Sequence, residues 1–257
     1  MATEPRTPRL AVLIDADNAS ARIAPGLFEE IAKIGEASVR RIYGDFSGTH
    51  LKSWAGILST YAIMPHQNFA NTVGKNASDI ALVIDAMDLL HSGRFDGFCL
   101  VSSDSDFTRL AARIREEGVD VYGFGERKTP VSFRQACRRF VYTENLVPQA
   151  AASDQPGPIG TSPAPAVESP SAATPLIRQA IKQLEDEDGW ASLGSVGKQL
   201  AILRPDFDTR SYGKSKLVDL VEKTGAFEVR RDKGGGVHIR FKPPAKKPAA
   251  SKANAAS

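Results

Sequence analysis

Short, continuously apolar runs alternate with longer amphipathic segments over the first 147 residues. The runs cover residues 10–14, 38–43, 62–65, 97–101 and 119–124. Between them, residues 24–34, 51–60, 80–91 and 107–117 carry apolar side chains three and four positions apart, the spacing of a helix with one buried face. In the third of these helices Ile80, Val83, Ile84, Met87 and Leu90 are predicted to share that face. A strand that is apolar throughout is buried on both sides. The pattern therefore predicts an α/β domain, a parallel sheet sandwiched by helices.

The pattern breaks at Pro148. Residues 148–175 read "PQAAASDQPGPIGTSPAPAVESPSAATP", with too few large apolar side chains to offset the entropy of ordering them, and are predicted to be a flexible linker. At that length its root-mean-square reach is roughly 25–30 Å, so modules on either side can act on one extended ligand. Residues 176–242 return to periodic patterning. "PLIRQAIKQLED", "SLGSVGKQLAIL" and "SKLVDLVEKTG" predict three helices, the last stopping at Gly225, and "FEVRRDKGGGVHIRF" predicts a hairpin turned by Gly234 to Gly236. Three helices and a hairpin make a small winged-helix-like domain, in which Trp190 is predicted to pack in the core. Residues 243–257 are low-complexity and basic, and are predicted to be disordered.

Charge changes the picture only when divided. The 257 residues carry a net charge of +3, but residues 1–150 hold 17 Lys/Arg against 18 Asp/Glu, so the basic excess lies in the C-terminal part. Cys99 and Cys137 lack partners at metal-ligand spacing and are predicted to be buried free thiols. No apolar stretch has the length of a secretory signal or a membrane span. The expectation is a cytoplasmic protein with no membrane partner.

The chemistry lies at the strand ends, where ligands bind in an open parallel sheet. The first strand ends in "LIDADN", putting Asp15 on the rim with Asp17 and Asn18 in the following turn; the fourth ends in "LVSSDSDF", adding Asp104 and Asp106. Asp79, in "GKNASD", opens a helix after the third strand. Any one of these acids could be a cap or turn residue. Their coincidence at three strand ends is what points to a site. Two carboxylates about 5 Å apart repel by roughly 3 kcal/mol at an effective dielectric of 20, and a bare cluster contains several such pairs. With no Lys or Arg within three residues of Asp15, Asp79 or Asp104 except beyond Asp106, a divalent cation is the simplest remedy; all-oxygen donors favour Mg²⁺ or Mn²⁺.

The motifs "LIDADN", "YGDF", "GKNASDIALVIDAMDLL", "LVSSDSDF" and "GVDVYGFG" resemble, in order, the NYN domain of the PIN-like nuclease superfamily, in its LabA-like branch. The resemblance covers residues 9–147 and implies a sheet of order 3-2-1-4-5. It also implies metal-dependent hydrolysis of RNA phosphodiester bonds with 5′-phosphate products, with Asp15, Asp79 and Asp104 holding Mg²⁺ or Mn²⁺ and Asp106 completing the catalytic set. Asn18 follows the first acid and is expected to hold a ligand or water. Asp45, in "YGDF", matches a recurrent acid of unassigned role. Lys75 and Ser102 are expected to contact substrate, and Arg109, Arg127 and Lys128 to line its approach. "DFDTRSYGKSKLVDLVEKTGAFEV" is similar to the OST-HTH/LOTUS domain, whose members are associated with RNA or protein partners. Its basic face, with Arg210, Lys214, Lys216, Arg230, Arg231 and Arg240, is expected to bind RNA; Arg230 and Arg240 are the substrate-binding choices. The competing reading is a non-catalytic RNA-binding or adaptor protein whose acids keep a structural or vestigial metal site.

Overall fold

The fold is taken from a computed structural model, which describes residues 6–68, 77–147, 167–232 and 234–242. The chain divides into two compact units, one of residues 1–167 with 200–211 and the other of residues 168–199 with 212–257. Residues 148–166 of the predicted linker, and the predicted tail, lie outside the described residues, while residues 170–175, also read as linker, form a 3₁₀ turn and the start of a helix. No helix among the described residues is long and apolar enough to cross a membrane.

The first unit runs β1 (Arg9–Asp15), α1 (Ala24–Ala32), β2 (Glu36–Gly44), α2 (Lys52–Ala55), β3 (Met64–Gln67), α3 (Ala77–His91), β4 (Gly97–Val101), α4 (Thr108–Glu116), β5 (Asp120–Gly125), α5 (Val131–Ala136) and β6 (Arg139–Tyr142). All six strands are parallel, in the order β3-β2-β1-β4-β5-β6. The five predicted strands are present. β6 is a sixth that the sequence did not announce, a four-residue edge strand that follows Arg138 and opens on Arg139.

Alternation along the central strands builds a core on each face. Ala11 and Leu13 of β1, with Phe98 and Leu100 of β4, meet Leu82, Ala86 and Leu89 of α3 and Leu110, Ala111 and Ile114 of α4. Leu10, Val12 and Ile14, with Cys99 and Val101, meet Ala24, Leu27 and Ile31 of α1 and Trp54 of α2. Trp54 is buried and donates its indole N–H to the Ala19 carbonyl at 2.8 Å. Both cysteines are buried and free, as predicted.

One helix face differs from the sequence reading. Leu82, Ala86, Leu89 and Leu90 form the buried stripe of α3, while Ile80 and Ile84 are 60% and 58% exposed. The helix is apolar on more than one side, and packing selects the leucine stripe. Mid-helix Asp85 then turns toward the sheet, where it accepts hydrogen bonds from Arg41 and the Tyr43 hydroxyl.

In the first unit Arg210 leaves the basic face predicted for it: it is bidentate on Asp208, with Nη2 to Oδ2 at 2.7 Å, and also reaches Glu30 at 2.8 Å.

In the second unit a 3₁₀ turn (Pro170–Ala173) leads into α6 (Thr174–Lys182), followed by β7 (Ala191–Ser192), α7 (Leu193–Leu203), α8 (Leu217–Thr224), β8 (Phe227–Arg231) and β9 (Val237–Phe241). The strands form an antiparallel sheet in the order β7-β9-β8. Gly225 caps α8 with φ of 71°, the left-handed conformation in which glycine avoids a Cβ clash. Trp190 departs from its predicted place. Ala191 faces the core, so the preceding residue points the other way, and half-buried Trp190 lies on the outer face with Arg230 and Arg240 at 4.6 and 4.8 Å from its ring centroid.

Candidate active site

The strand order reverses between β1 and β4, the switch point at which an open α/β sheet leaves a crevice beyond its carboxyl ends. Ile14 pairs with Val101, so Asp15 and Ser102 emerge side by side. Asp15 is 1% exposed, and its carboxylate is held by donors on both oxygens. The backbone N–H groups of Asp17 and Asn18 reach Oδ1 at 3.1 and 3.3 Å; the Asn18 amide and the Ser102 hydroxyl donate to Oδ2 at 2.8 and 2.7 Å. The same Ser102 hydroxyl accepts the Asp104 N–H at 3.0 Å. Ser102, read from the sequence as a substrate contact, is therefore a buried tie between two acid-bearing strand ends, and Asn18 is likewise turned onto Asp15.

Asp104 caps the 3₁₀ turn Ser105–Phe107, its carboxylate accepting the Asp106 N–H at 2.9 Å. Asp79 stands in the first turn of α3, half-buried. Its carboxyl is pushed up to about 6, first by burial and then by the negative charges of Asp15, Asp104, Asp17 and Asp106. Four other acids, from the end of β1 and the segments that follow β1 and β4, thus act on the ionisation of this one side chain. Burial also raises Asp15, against the opposing effect of its hydrogen bonds to Ser102 and Asn18.

Sequence reasoning missed the part Asp17 plays. Read as a turn residue, it faces His50 Nε2 at 3.2 Å and Ser78 Oγ at 3.5 Å, so it sits where the loops after β1 and β2 meet the start of α3. Nothing in the local sequence pairs residues 17 and 50. Asp45 is occupied otherwise, accepting from the Ser47 N–H at 3.0 Å and the Gln67 amide at 2.7 Å.

The cations expected around the rim are distributed unevenly. Lys75 lies outside the described residues. Lys128 pairs with Glu126 at 2.8 Å, and Arg127 lies over the Tyr142 ring, 5.1 Å from its centroid. Among the described residues, no three His, Cys, Asp or Glu side chains close tightly enough to enclose an ion. The donor set is nonetheless all carboxylate oxygen, the chemistry that suits Mg²⁺ or Mn²⁺. The raised carboxyl of Asp79 also marks excess negative charge that a cation would relieve. The donor chemistry matches a hard divalent ion, while the described side chains do not form a closed ligand group.

A six-stranded parallel sheet between helices, with acids gathered at its switch point, defines a PIN-like α/β domain. The chain belongs to the NYN domain family, whose profile matches residues 9–144, and residues 168–239 match the OST-HTH/LOTUS domain. NYN domains are PIN-like nuclease domains, and OST-HTH domains bind RNA. No curated protein matches the chain significantly. Among solved structures, the chain is similar to a protein of unknown function from Vibrio parahaemolyticus, at 20% identity and a TM-score of 0.45, over 55% of this chain and 95% of that one. It is also similar to an uncharacterized protein from Nitrosomonas europaea solved by NMR, at 34% identity and a TM-score of 0.27, over 37% of this chain and 93% of that one.

Proposed function

We propose that this chain is a metal-dependent ribonuclease that hydrolyses RNA phosphodiester bonds at the acidic rim, with the OST-HTH domain capturing the RNA. The observation that carries the reading is geometric: in an NYN domain, Asp15 and Ser102 emerge side by side at the β1–β4 switch point, and the one Ser102 hydroxyl ties the Asp15 carboxylate to the Asp104 backbone. A surface used only to bind RNA would gain nothing from gathering negative charge where a phosphate must approach.

Asp15, Asp79 and Asp104 would hold Mg²⁺ or Mn²⁺, with Asp106 beside them. When bound, the ion supplies a Lewis acid that activates water and neutralises charge on phosphate oxygens. The protein's own part is orientation. Ser102 and Asn18 fix both oxygens of Asp15, so that buried carboxylate presents one geometry. Ser102 also fixes the backbone of Asp104, locking the spacing of the two main anchors. Asp79, whose carboxyl is raised by burial and by its acidic neighbours, is the member of the set most ready to hold a proton at its carboxyl.

The test is cleavage of single-stranded and structured RNA by the full chain with Mn²⁺, Mg²⁺ or EDTA, beside Asp104→Asn. Cleavage is expected with a metal, absent in EDTA, and reduced at least 100-fold in the variant. RNA left intact under every metal, or a variant that cuts as well as the parent, refutes the assignment.

A further inference from the structure

The cations of the second unit are not equally available to a polyanion. On the hairpin, Arg240 pairs with Glu228 at 2.7 Å, Arg231 with Glu222 at 2.7 Å, and Arg230 faces Asp232 at 3.5 Å. Three of the residues expected to bind RNA, Arg230, Arg231 and Arg240, thus meet carboxylates of their own hairpin and of α8. Elsewhere in the unit, α6 and the end of β9 enclose a groove of about 530 Å³ lined by Thr174, Pro175, Arg178, Gln179, Lys182 and Phe241. Arg178 lies over the Phe241 ring, 4.2 Å from its centroid. Arg178 and Lys182 are exposed, and among the described residues neither pairs with a carboxylate.

We propose that this groove is where the second unit holds RNA, taking an unpaired nucleotide of a single strand; the inference rests on the RNA reading above. Three features select that occupant. The volume falls within the range of small-ligand sites, roughly 300–1,000 Å³, and the lining is mostly apolar. Unpaired bases stack on aromatic rings and on arginine guanidinium planes, and the Arg178 guanidinium, lying over the Phe241 ring, offers such a plane at the groove. Lys182, one helical turn beyond Arg178, adds a second positive charge on the same face for the neighbouring phosphate. A base-paired helix would bury the base faces that this groove is shaped to receive.

The experiment uses the full chain in EDTA, so that the strand stays whole, and a fluorescein-labelled single-stranded RNA carrying 4-thiouridine. Affinity is read by anisotropy from 50 to 300 mM salt and contact sites by cross-linking and mass spectrometry. The double change Arg178→Ala with Lys182→Ala, at exposed positions that leave the core intact, is expected to weaken binding at least tenfold. It should also lower the salt slope by about 1.4, the value for two phosphate contacts on a single strand. Arg178→Lys keeps the charge but not the plane, and should leave the slope unchanged while weakening binding about threefold. Arg230→Ala with Arg240→Ala should change affinity less than threefold, and cross-links should fall within residues 174–182 or on Phe241. If the parent binds RNA and the Arg178/Lys182 variant binds equally well, or if the cross-links lie elsewhere, the groove assignment is wrong while the RNA reading stands. If a polyglutamate peptide binds the groove and RNA does not, the occupant is an acidic protein segment and the proposal is overturned. If the parent binds no RNA, both readings fall together.

Discussion

Replacing Asp79 by Asn should make the metal-free protein more stable at neutral pH, because the native state holds this carboxyl in a place hostile to its charge. Its ordinary ionisation lies near 3.8 and the folded value near 6. Unscreened, that displacement is worth about 3 kcal/mol. Solvent reaches a half-buried side chain, so about 1–2 kcal/mol is the realistic size. The sign follows from linkage: below about pH 4 the group is protonated in both states and contributes nothing. Between about 4 and 6 the unfolded chain ionises while the folded one does not, so stability falls as pH rises, and above about 6 the full penalty applies. The assay is a thermal melt of parent and Asp79→Asn in EDTA at unit pH steps from 4 to 8, where the difference between the two cancels the titrating groups remote from the rim and leaves Asp79 with the acids coupled to it. The variant should melt several degrees higher at pH 7–8, with the gap closing toward pH 4. Saturating Mn²⁺ should then raise the parent well above its metal-free midpoint and move the variant far less, because the charge that hurts the empty fold is the charge that binds the ion. A variant that melts at or below the parent at pH 7.5 in EDTA, or a gap that ignores pH, refutes the electrostatic account of the rim.

Ser102→Ala removes a donor from the Asp15 carboxylate and an acceptor from the Asp104 N–H, and should cost about 1.5–3 kcal/mol in a urea melt and lower RNA cleavage at least tenfold. A loss of stability with cleavage intact would deny it any part in holding the anchors. Gly125→Ala places a Cβ 2.5 Å from the Ser102 carbonyl oxygen and 2.7 Å from Thr129 Oγ1, so it should destabilise by about 1–3 kcal/mol; an unchanged melting midpoint would show that the rim yields freely. Cys99 and Cys137 are buried, which pushes both thiols up, Cys137 to about 12, and neither should react with a thiol reagent at pH 8 until the protein unfolds. Rapid stoichiometric labelling of the native protein would contradict that burial.

The central strands were legible because each is apolar without interruption, which only a sheet covered on both faces tolerates. β6 was not, since "RFVY" is short and sits at an edge where arginines are permitted. The buried face of α3 was misread because Ile80 and Ile84 fit the helical period as well as Leu82, Ala86 and Leu89 do, and only packing against β1 and β4 separates the two stripes. At the candidate site, Asp15, Asp79 and Asp104 stand out in the sequence because strand-end acids sit at fixed places in an α/β pattern. Ser102 and Asn18 were singled out as substrate or ligand contacts, yet their orientation onto Asp15 depends on strand register, which sequence does not supply. Ion pairs across long separations, such as Arg41 with Asp85, leave no local trace at all.

What separates the rim from an ordinary set of buried acids is how the chain treats its other carboxylates. Burial alone would raise Glu30, but Lys33, Arg210 and Arg139 outweigh it and hold its carboxyl below the usual range. The same contest, decided the same way, holds Asp85 down through Tyr43 and Arg41, Asp206 through Arg204, Tyr142 and Arg134, and Asp208 through Arg210. Exposed Asp96 is lowered mainly by the Arg9 N–H. Among the described carboxylates with a displaced ionisation, five therefore lie low with a protein donor or cation in place. The two that lie high, Asp15 and Asp79, both belong to the switch-point rim. Among the described residues an arginine faces each of Glu30, Asp85, Asp206 and Asp208, and none is placed against Asp15 or Asp79, whose ionisation a nearby positive charge would lower.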